Sequence, residues 1–266
     1  MNKLVVVTNP DIINDLRANN IQLLYPLKSF CVGYNSYFDI NEIDDYCLVN
    51  RILNNNDINR LDKILHNSSI KGIVFDDLGI IDIVKDMDIT KILILDHLAT
   101  NSKSINYYLE YVDSVIVSND LTKEEIEYIL NNTNKPLCIE VFGLKRLMYS
   151  RRTLLTNYEK YHAINLQDNI DASIDNKYYK IIENEYGTVF YAYPYYNALE
   201  LLNNKNVLYY IYNPVLLDSS KLINLVCNND INDIPNSRLF LGEKTFYKVG
   251  DKDGISSNPS SSSKGN

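Results

Sequence analysis

The chain has 266 residues, of which 45% are hydrophobic and 23% are charged. This is the composition of an ordinary globular protein, and it excludes disordered, collagen-like and disulfide-stapled chains. The net charge is -8, with 34 acidic and 26 basic side chains, so the chain has no broad basic field that would attract DNA or anionic lipid. We therefore expect no DNA and no membrane among its partners, and any RNA contact to be local or supplied by a partner protein.

Short runs rich in β-branched and aromatic residues recur along the chain at intervals of about 20 residues, with polar or helical stretches between them. The runs are nearly all apolar instead of alternating, which is typical of parallel strands covered on both faces. The sequence therefore predicts an α/β fold, a (β/α)8 TIM-like barrel. The predicted strands lie within residues 4–8, 21–27, 45–52, 70–77, 91–97, 113–120, 136–143 and 206–214.

Helix start signals precede several of the intervening stretches. Asn9, Asn56 and Thr122 are residue types that cap helix N-termini, and each is followed by a helical pattern. Glu124 and Glu125 fall in the first turn of the last of these helices, where the helix dipole favours negative charge. A further capped helix is predicted over residues 218–229.

The pattern breaks after Tyr158. Residues 163–180 are polar and predict a loop, and two extended segments around Glu183–Gly187 predict a β-hairpin inserted into the barrel. We expect residues 1–250 to form a single barrel domain. Residues 251–266 are rich in Ser and Gly and predict a disordered tail.

Polar residues gather at the carboxyl ends of the predicted strands, where (β/α) barrels build their sites. Asp76 and Asp77 could bind a metal there or cap the following helix. His97 follows Asp96 and could act as an acid or base near neutral pH. The segment Ser118–Asp120 ends another strand in the same way.

Three carboxylates are candidates for proton transfer. Glu140 is placed at the end of the seventh strand, and Glu183 and Glu185 lie in the predicted hairpin. Paired acids can transfer protons when their surroundings separate their pKa values. Alternatively, Glu183 and Glu185 lie on one face of a hairpin that faces solvent.

Basic side chains follow the seventh strand at Lys145, Arg146, Arg151 and Arg152. They could clamp a carboxylate or a phosphate, because guanidinium groups bind such anions with two parallel hydrogen bonds. They could equally form a solvated loop that pairs with neighbouring acids. Ser150 lies among them, but no motif of a serine nucleophile surrounds it.

The remaining residue types predict no metal site. His66 is expected at a helix end and His162 in a loop, and no His-Glu-x-x-His helix occurs. The cysteines are widely scattered, which favours reduced and mostly buried thiols over zinc ligands or disulfides. The tyrosine runs at 191–196 and 209–212 could stack on nucleic-acid bases or simply fill the core.

Four stretches resemble the collagenase-like peptidase family U32. Thr100–Ser102 lies in one of them, and the acidic turn before Gly187 lies in another. The resemblance spans roughly residues 20–250. The stretches are EVFGLKRLMYSRRTLLTNY at 140–158, LILDHLATNSKSINYYLEYVDSVIVSNDLTKEEI at 93–126, YYKIIENEYGTVFYA at 178–192 and RLFLGEKTFYKV, a closing hairpin, at 238–249.

The resemblance implies a bacterial, cytoplasmic (β/α) barrel with a historical peptidase label. Relatives take part in oxygen-independent hydroxylation of RNA bases or quinone precursors, many with a 4Fe-4S cluster held by four cysteines. This chain has Met148 and Thr153 where cluster-bearing members place cysteines, and none of its cysteines lies between 139 and 226. No cofactor is therefore expected, because a cluster needs four converging thiolates.

The chain resembles the short, cysteine-poor branch associated with hydroxylation of the tRNA wobble uridine alongside a longer paralogue. We therefore expect it to assist or perform this reaction, with the longer U32 paralogue supplying tRNA contact, and an anionic small molecule as a possible ligand. The alternatives are a collagenase-like peptidase and a non-catalytic binding barrel. The candidate catalytic residues are Glu140, His97 and Asp96, and the candidate substrate-binding residues are Asn101, Tyr149, Ser150, Arg151, Arg152, Asn157, Glu183 and Glu185.

Overall fold

Eight parallel strands close into a barrel in the computed structural model, which describes residues 2–166 and 169–242. The first seven strands pair in chain order, and the last one pairs with both the first and the seventh, which closes the ring. This confirms the predicted TIM-like barrel and all eight of its strands. The strands are β1 (Lys3–Val6), β2 (Gln22–Pro26), β3 (Tyr46–Val49), β4 (Gly72–Phe75), β5 (Thr90–Ile94), β6 (Ser114–Val117), β7 (Leu137–Gly143) and β13 (Val207–Asn213).

The core lies inside the barrel and between its strands and helices. Every residue of β3 and β4 is buried, as the continuous apolar runs predict for parallel strands covered on both faces. The tyrosine runs also fill the core, since Tyr191, Tyr196 and Tyr212 are fully buried. Base stacking on these three rings is therefore excluded.

Helices cover the outside of the barrel. Thr122 caps α5 in a capping box with Glu125, as the sequence predicts, whereas α2 begins at Asn55, just before the predicted Asn56, with Asn54 as its cap. Asp218 caps the last helix. The helices are α1 (Ile13–Ala18), α2 (Asn55–His66), α3 (Gly79–Val84), α4 (Ser102–Tyr108), α5 (Lys123–Asn131), α6 (Leu154–His162) and α7 (Ser219–Asn228).

The structure departs from a regular eight-fold repeat at one connection and from the sequence prediction at one histidine. Between β2 and β3 the described chain has a 3-10 turn at Ile40–Glu42 in place of an α-helix. His162 is the last residue of α6, so its placement in a loop was wrong, whereas His66 ends α2 as predicted.

A four-stranded antiparallel sheet projects from the chain between β7 and β13. The predicted hairpin is confirmed, because the third and fourth strands of this sheet in chain order pair across a turn at Glu185 and Tyr186. The prediction of a loop over 163–180 was wrong for 169–174, which form a strand, whereas the extended segment predicted from 178 onward is observed. The outer strand there faces solvent largely on both sides and so lacks the apolar run that marks a buried strand. In order across the sheet, the strands are β8 (Arg146–Ser150), β11 (Gly187–Tyr193), β10 (Lys177–Asn184) and β9 (Asn169–Ile174).

Two short strands extend the barrel sheet beside β7. β12 (Tyr195–Asn197) runs antiparallel to β7, and β14 (Asn236–Ser237) pairs with β12. The predicted tail at 251–266, and most of the closing hairpin expected at 238–249, lie outside the described residues. In the described part of the chain, no helix combines the length and the apolar character needed to cross a bilayer.

Candidate functional site

A polar cavity of about 670 Å³ lies at the carboxyl ends of β4 to β7, with β8 along its rim. Its position agrees with the end of the barrel where (β/α) barrels build their sites. Its volume is within the range of small-molecule pockets, roughly 300 to 1,000 Å³. The polar side chains that line it are Asp76, Asp96, His97, Ser118, Asn119, Asp120, Glu140, Lys145, Arg146 and Tyr149.

Arg146 joins two strand ends. Its guanidinium donates to Asp76 Oδ2 at 3.2 and 3.3 Å, and to Asp96 Oδ2 at 2.6 Å. Asp76 follows β4 and Asp96 follows β5, while Arg146 begins β8, so the ion pairs tie the rim strand to the barrel. Burial raises the pKa of Asp76, and the guanidinium only partly offsets this effect.

Glu140 lies within β7, three residues before the strand end at which the sequence placed it, and contributes to the cavity wall. Its Oε1 is enclosed and has no hydrogen-bond partner in the part of the chain that the structure describes. Burial, with a smaller contribution from Asp96, raises its pKa to about 8, although Arg146 acts in the opposite direction. The carboxyl is therefore largely protonated at neutral pH and can donate a proton.

Lys145 precedes Arg146 in the chain and forms an ion pair with Asp120. Asp120 lies in the segment that follows the end of β6 at Val117. Its ammonium group also lies 4.7 Å from the centroid of the Phe240 ring, a cation–π distance. Burial lowers the pKa of Lys145 to about 8, despite the opposing charge of Asp96. Both basic side chains of the cavity are thus already engaged by carboxylates.

Asp96 and His97 occupy a tight 3-10 turn after β5. The backbone of Asp96 has a φ of 43°, which lies in the left-handed region that residues other than glycine seldom adopt. Such backbone strain is concentrated at functional sites. The turn presents both side chains to the cavity, where His97 is exposed.

Four of the predicted site residues meet in this cavity. Asp96, His97 and Glu140, the candidate catalytic residues, line it together with Tyr149. The Tyr149 hydroxyl donates to the backbone carbonyl of Tyr186 at 3.1 Å. The strand-end residues that the sequence singled out thus come together at one cavity.

The other candidates lie away from the cavity lining. Arg151 and Arg152 are exposed in the bend after β8, so the anion clamp suggested for them does not face the cavity. Ser150 accepts a hydrogen bond from the backbone N–H of Arg152 at 3.1 Å. Asn101 caps α4 by accepting from the N–H of Ser104 at 2.9 Å, and Asn157 is exposed on α6.

The two hairpin acids have separate surroundings. Glu183 accepts hydrogen bonds from the N–H groups of Leu155 and Thr156 at 2.7 and 2.9 Å, so it binds the N-terminus of α6. Glu185 is exposed in the turn between β10 and β11. They do not form the pair that a shared strand face would give.

The neighbouring carboxylates Asp76 and Asp77 also have separate partners. Asp77 accepts from the N–H of Gly79 at 2.9 Å and so caps α3, whereas Asp76 binds Arg146. Within the described residues no group of three or more His, Cys, Asp or Glu side chains could hold a metal.

The cysteines do not fit an iron-sulfur cluster. Cys31, Cys47 and Cys138 are buried, and Cys227 is partly buried on α7. The Cys31 thiol donates to the carbonyl of Leu48 at 2.8 Å, and Cys138 lies 3.4 Å from the hydroxyl of Ser114. Within the described residues no three of these side chains come together, whereas a four-thiolate site requires all four to converge.

Several polar side chains of the cavity were not among the predicted site residues. Asp76 and Asp120 carried the strand-end signal, and Lys145 and Arg146 formed the first pair of the basic cluster. The sequence favoured the second pair, Arg151 and Arg152, because nothing local distinguishes a side chain that faces the cavity from one that faces solvent.

Comparison with known proteins gives one match. The model of Peptidase family U32 matches residues 36–207, which cover β3 to β12 and the antiparallel sheet. A search of curated proteins and a search of solved structures found no match. Since the matched segment covers more than half of the chain and includes most of the cavity, the chain belongs to peptidase family U32.

Proposed function

We propose that this protein takes part in oxygen-independent hydroxylation of tRNA, at the wobble uridine, as a subunit without an iron-sulfur cluster. The observation that carries the proposal is a buried carboxyl, Glu140, whose pKa burial raises to about 8, in a polar cavity at the carboxyl ends of a U32 barrel. A volume of about 670 Å³ can hold a nucleobase together with a small donor molecule.

In this proposal each cavity residue has a role that follows from its surroundings. Glu140 gives or takes a proton at the reacting group, since its pKa of about 8 lies close to neutral pH. Arg146 is held by Asp76 and Asp96 and orients these carboxylates for hydrogen bonds to the substrate. His97, exposed at the rim, is a second candidate for proton transfer.

The proposal includes a partner. The net charge of -8 disfavours tight binding of tRNA by this chain alone. A longer U32 paralogue would supply the tRNA contact and the redox chemistry in the cytoplasm, and the barrel described here would supply proton transfer.

Mass spectrometry of tRNA nucleosides tests the proposal. Cells that lack the gene should lose the hydroxylated wobble uridine. The wild-type gene should restore it, and Glu140→Gln should not. Glu185→Gln is the matched control, since Glu185 is exposed in a turn away from the cavity, and it should restore the nucleoside fully. An unchanged nucleoside level after deletion would contradict the pathway.

Binding measurements test the need for a partner. The purified protein should bind tRNA only weakly at physiological salt. Sub-micromolar affinity of the protein alone would overturn the accessory role.

Peptide hydrolysis is the second candidate, favoured by the ion-paired carboxylate of Asp96 beside the protonated carboxyl of Glu140. Such a pair can combine a general base with a general acid. Ser150 gives this function no support, because its hydroxyl accepts the N–H of Arg152 outside the cavity lining.

A protease assay separates the two candidates. Peptidase activity that Glu140→Gln abolishes and Ser150→Ala preserves would favour hydrolysis, and activity indifferent to both changes would come from a contaminant. If neither reaction is found and a stable partner is captured, a non-catalytic binding barrel becomes the better description.

A further inference from the structure

Three enclosed polar atoms beside the cavity have no hydrogen-bond partner among the residues that the structure describes. They are Oε1 of Glu140, the hydroxyl of Tyr196 and Oδ1 of Asn213. Tyr196 is 0% exposed. Leaving a buried polar group unsatisfied costs about 1 to 3 kcal/mol, so three such atoms in one region call for an explanation.

The three residues lie around Gly143 at the end of β7. In the sheet, Gly143 pairs with Asn213 of β13 on one side and with Tyr196 of β12 on the other. A Cβ at Gly143 would lie 2.5 Å from Glu140 Oε1 and 3.0 Å from the Cβ of Asn213. The glycine therefore leaves room beside the carboxyl.

Buried water molecules occupy such positions, and each typically forms about three hydrogen bonds to buried polar groups that otherwise have none. We propose that Glu140, Tyr196 and Asn213 bind one buried water molecule between β7, β12 and β13, and that this water supports Glu140 as the proton donor of the cavity. The second part rests on the proposed function, whereas the water site itself does not.

The hydrogen-bonding capacities of the three groups fit one water. Asn213 Oδ1 can only accept, so the water donates to it and uses its second hydrogen for Glu140 Oε1. The Tyr196 hydroxyl donates to the water oxygen. Because Glu140 lines the cavity while its Oε1 is enclosed, the carboxyl connects the cavity with the water site.

This arrangement stabilises the charge that proton donation leaves behind. When the acid gives its proton to a group in the cavity, the proton ends on that group and the negative charge stays on the carboxylate. A hydrogen bond donated to Oε1 favours the carboxylate over the acid. Tyr196 and Asn213 are therefore positioning residues, which act on Glu140 through the water.

Other ionisable groups also face Glu140. Burial raises its pKa most, Asp96 adds to this effect, and Arg146 opposes it. Tyr34 and Tyr191 lie close enough for Glu140 to affect their ionisation. Arg146 is shared by two aspartates, so the water gives the carboxylate a support that does not depend on those ion pairs.

A high-resolution crystal structure of the full chain is the direct test. We expect electron density for one water within hydrogen-bond distance of all three atoms. Absence of this density, or hydrogen bonds from Tyr196 and Asn213 to protein groups instead, would overturn the proposal.

The second test is the pKa of the Glu140 carboxyl, measured by infrared difference spectroscopy with Glu140→Gln as the baseline. Tyr196→Phe should raise this pKa by about one unit, because the water loses the hydroxyl that holds it in place and the carboxylate then loses the hydrogen bond that the water donates. Asn213→Ala should raise it in the same direction, which keeps the test decisive if Tyr196→Phe fails to fold.

Tyr195→Phe is the matched control. Tyr195 neighbours Tyr196 on β12, but its hydroxyl donates to the carbonyl of Val215 at 2.9 Å. It should leave the pKa of Glu140 unchanged. A Tyr196→Phe protein whose Glu140 titrates as in the control would contradict the proposal, even if tRNA hydroxylation were confirmed. Conversely, the expected shift would stand if the tRNA role failed.

Discussion

Glu140 and Glu183 are both partly or fully buried glutamates, but their surroundings shift their pKa values in opposite directions. Glu140 has an enclosed oxygen without a partner, and burial raises its pKa to about 8. Burial would also raise the pKa of Glu183, but hydrogen bonds from Thr156, Thr188 and the backbone N–H groups of Thr156 and Leu155 outweigh it and hold that pKa below its usual value.

The difference separates a buried carboxyl of the cavity from a carboxylate that binds a helix start. The barrel keeps Glu140 protonated at a cost in stability above acidic pH, whereas the antiparallel sheet uses the charge of Glu183 to bind the start of a helix. Strongly perturbed carboxyls of this kind are concentrated at functional sites.

The largest expected effect on stability comes from removing the guanidinium group of Arg146. Arg146→Met leaves Asp76 and Asp96 without their partner, and we expect a loss of about 3 kcal/mol in the free energy of unfolding. Denaturant unfolding at pH 7 measures it. Arg152→Met, at an exposed position, should change stability by less than about 0.5 kcal/mol. Equal effects of the two changes would contradict the ion-pair assignment.

Glu140→Gln should stabilise the protein at pH 8 by about 2 kcal/mol. The folded-state pKa of Glu140 is raised above the unfolded value, so the native state binds an extra proton between roughly pH 4.5 and 8 and the wild type loses stability as pH rises through this window. The variant lacks this loss. Thermal unfolding from pH 4 to 8 should show the two proteins converging at the acidic end. A variant less stable than the wild type at pH 8 would count against the raised pKa.

Glu183→Gln should have the opposite sign and a smaller size, a destabilisation of about 1 kcal/mol at pH 7. The folded-state pKa of Glu183 lies below its ordinary value of 4.5, so its charge contributes stability above that value and the contribution disappears as pH falls through the folded pKa. The difference from the wild type should therefore shrink in acid. Glu185→Gln, which changes an exposed turn acid, serves as control.

Thr156→Val should give the smallest effect, about 0.5 kcal/mol. It removes one hydroxyl that donates to Glu183 Oε1 at 2.6 Å and leaves the backbone contacts of the helix start in place. The titration of Glu183, followed by NMR, should move up toward the ordinary value. No movement would show that the hydroxyl contributes nothing to the low pKa.

The barrel could be predicted from the sequence because its strands are buried on both faces and therefore appear as continuous apolar runs. The antiparallel sheet could be predicted only in part. β9 faces solvent, and β8 carries the exposed Leu147 and Met148, so neither has the apolar pattern of a buried strand.

The candidate site could be predicted in position but not in detail. Strand-end residues mark the correct edge of the barrel, because all parallel strands of the ring end on one side. The pairing of Arg146 with Asp76 and Asp96 joins residues 70 and 50 positions apart, and only closure of the barrel brings them together. The role of Glu183 likewise depends on the position of α6, because its partner Leu155 in that helix lies 28 residues earlier in the chain.

Closure of the ring by β13 has a consequence for dissecting this protein. The segment that matches the family model, residues 36–207, omits β1, β2 and nearly all of β13. A fragment with those bounds would expose the unpaired edges of β3 and β7, which are templates for intermolecular strand pairing. The matched segment therefore lacks the strands that close the barrel, and we expect a protein truncated to it to aggregate.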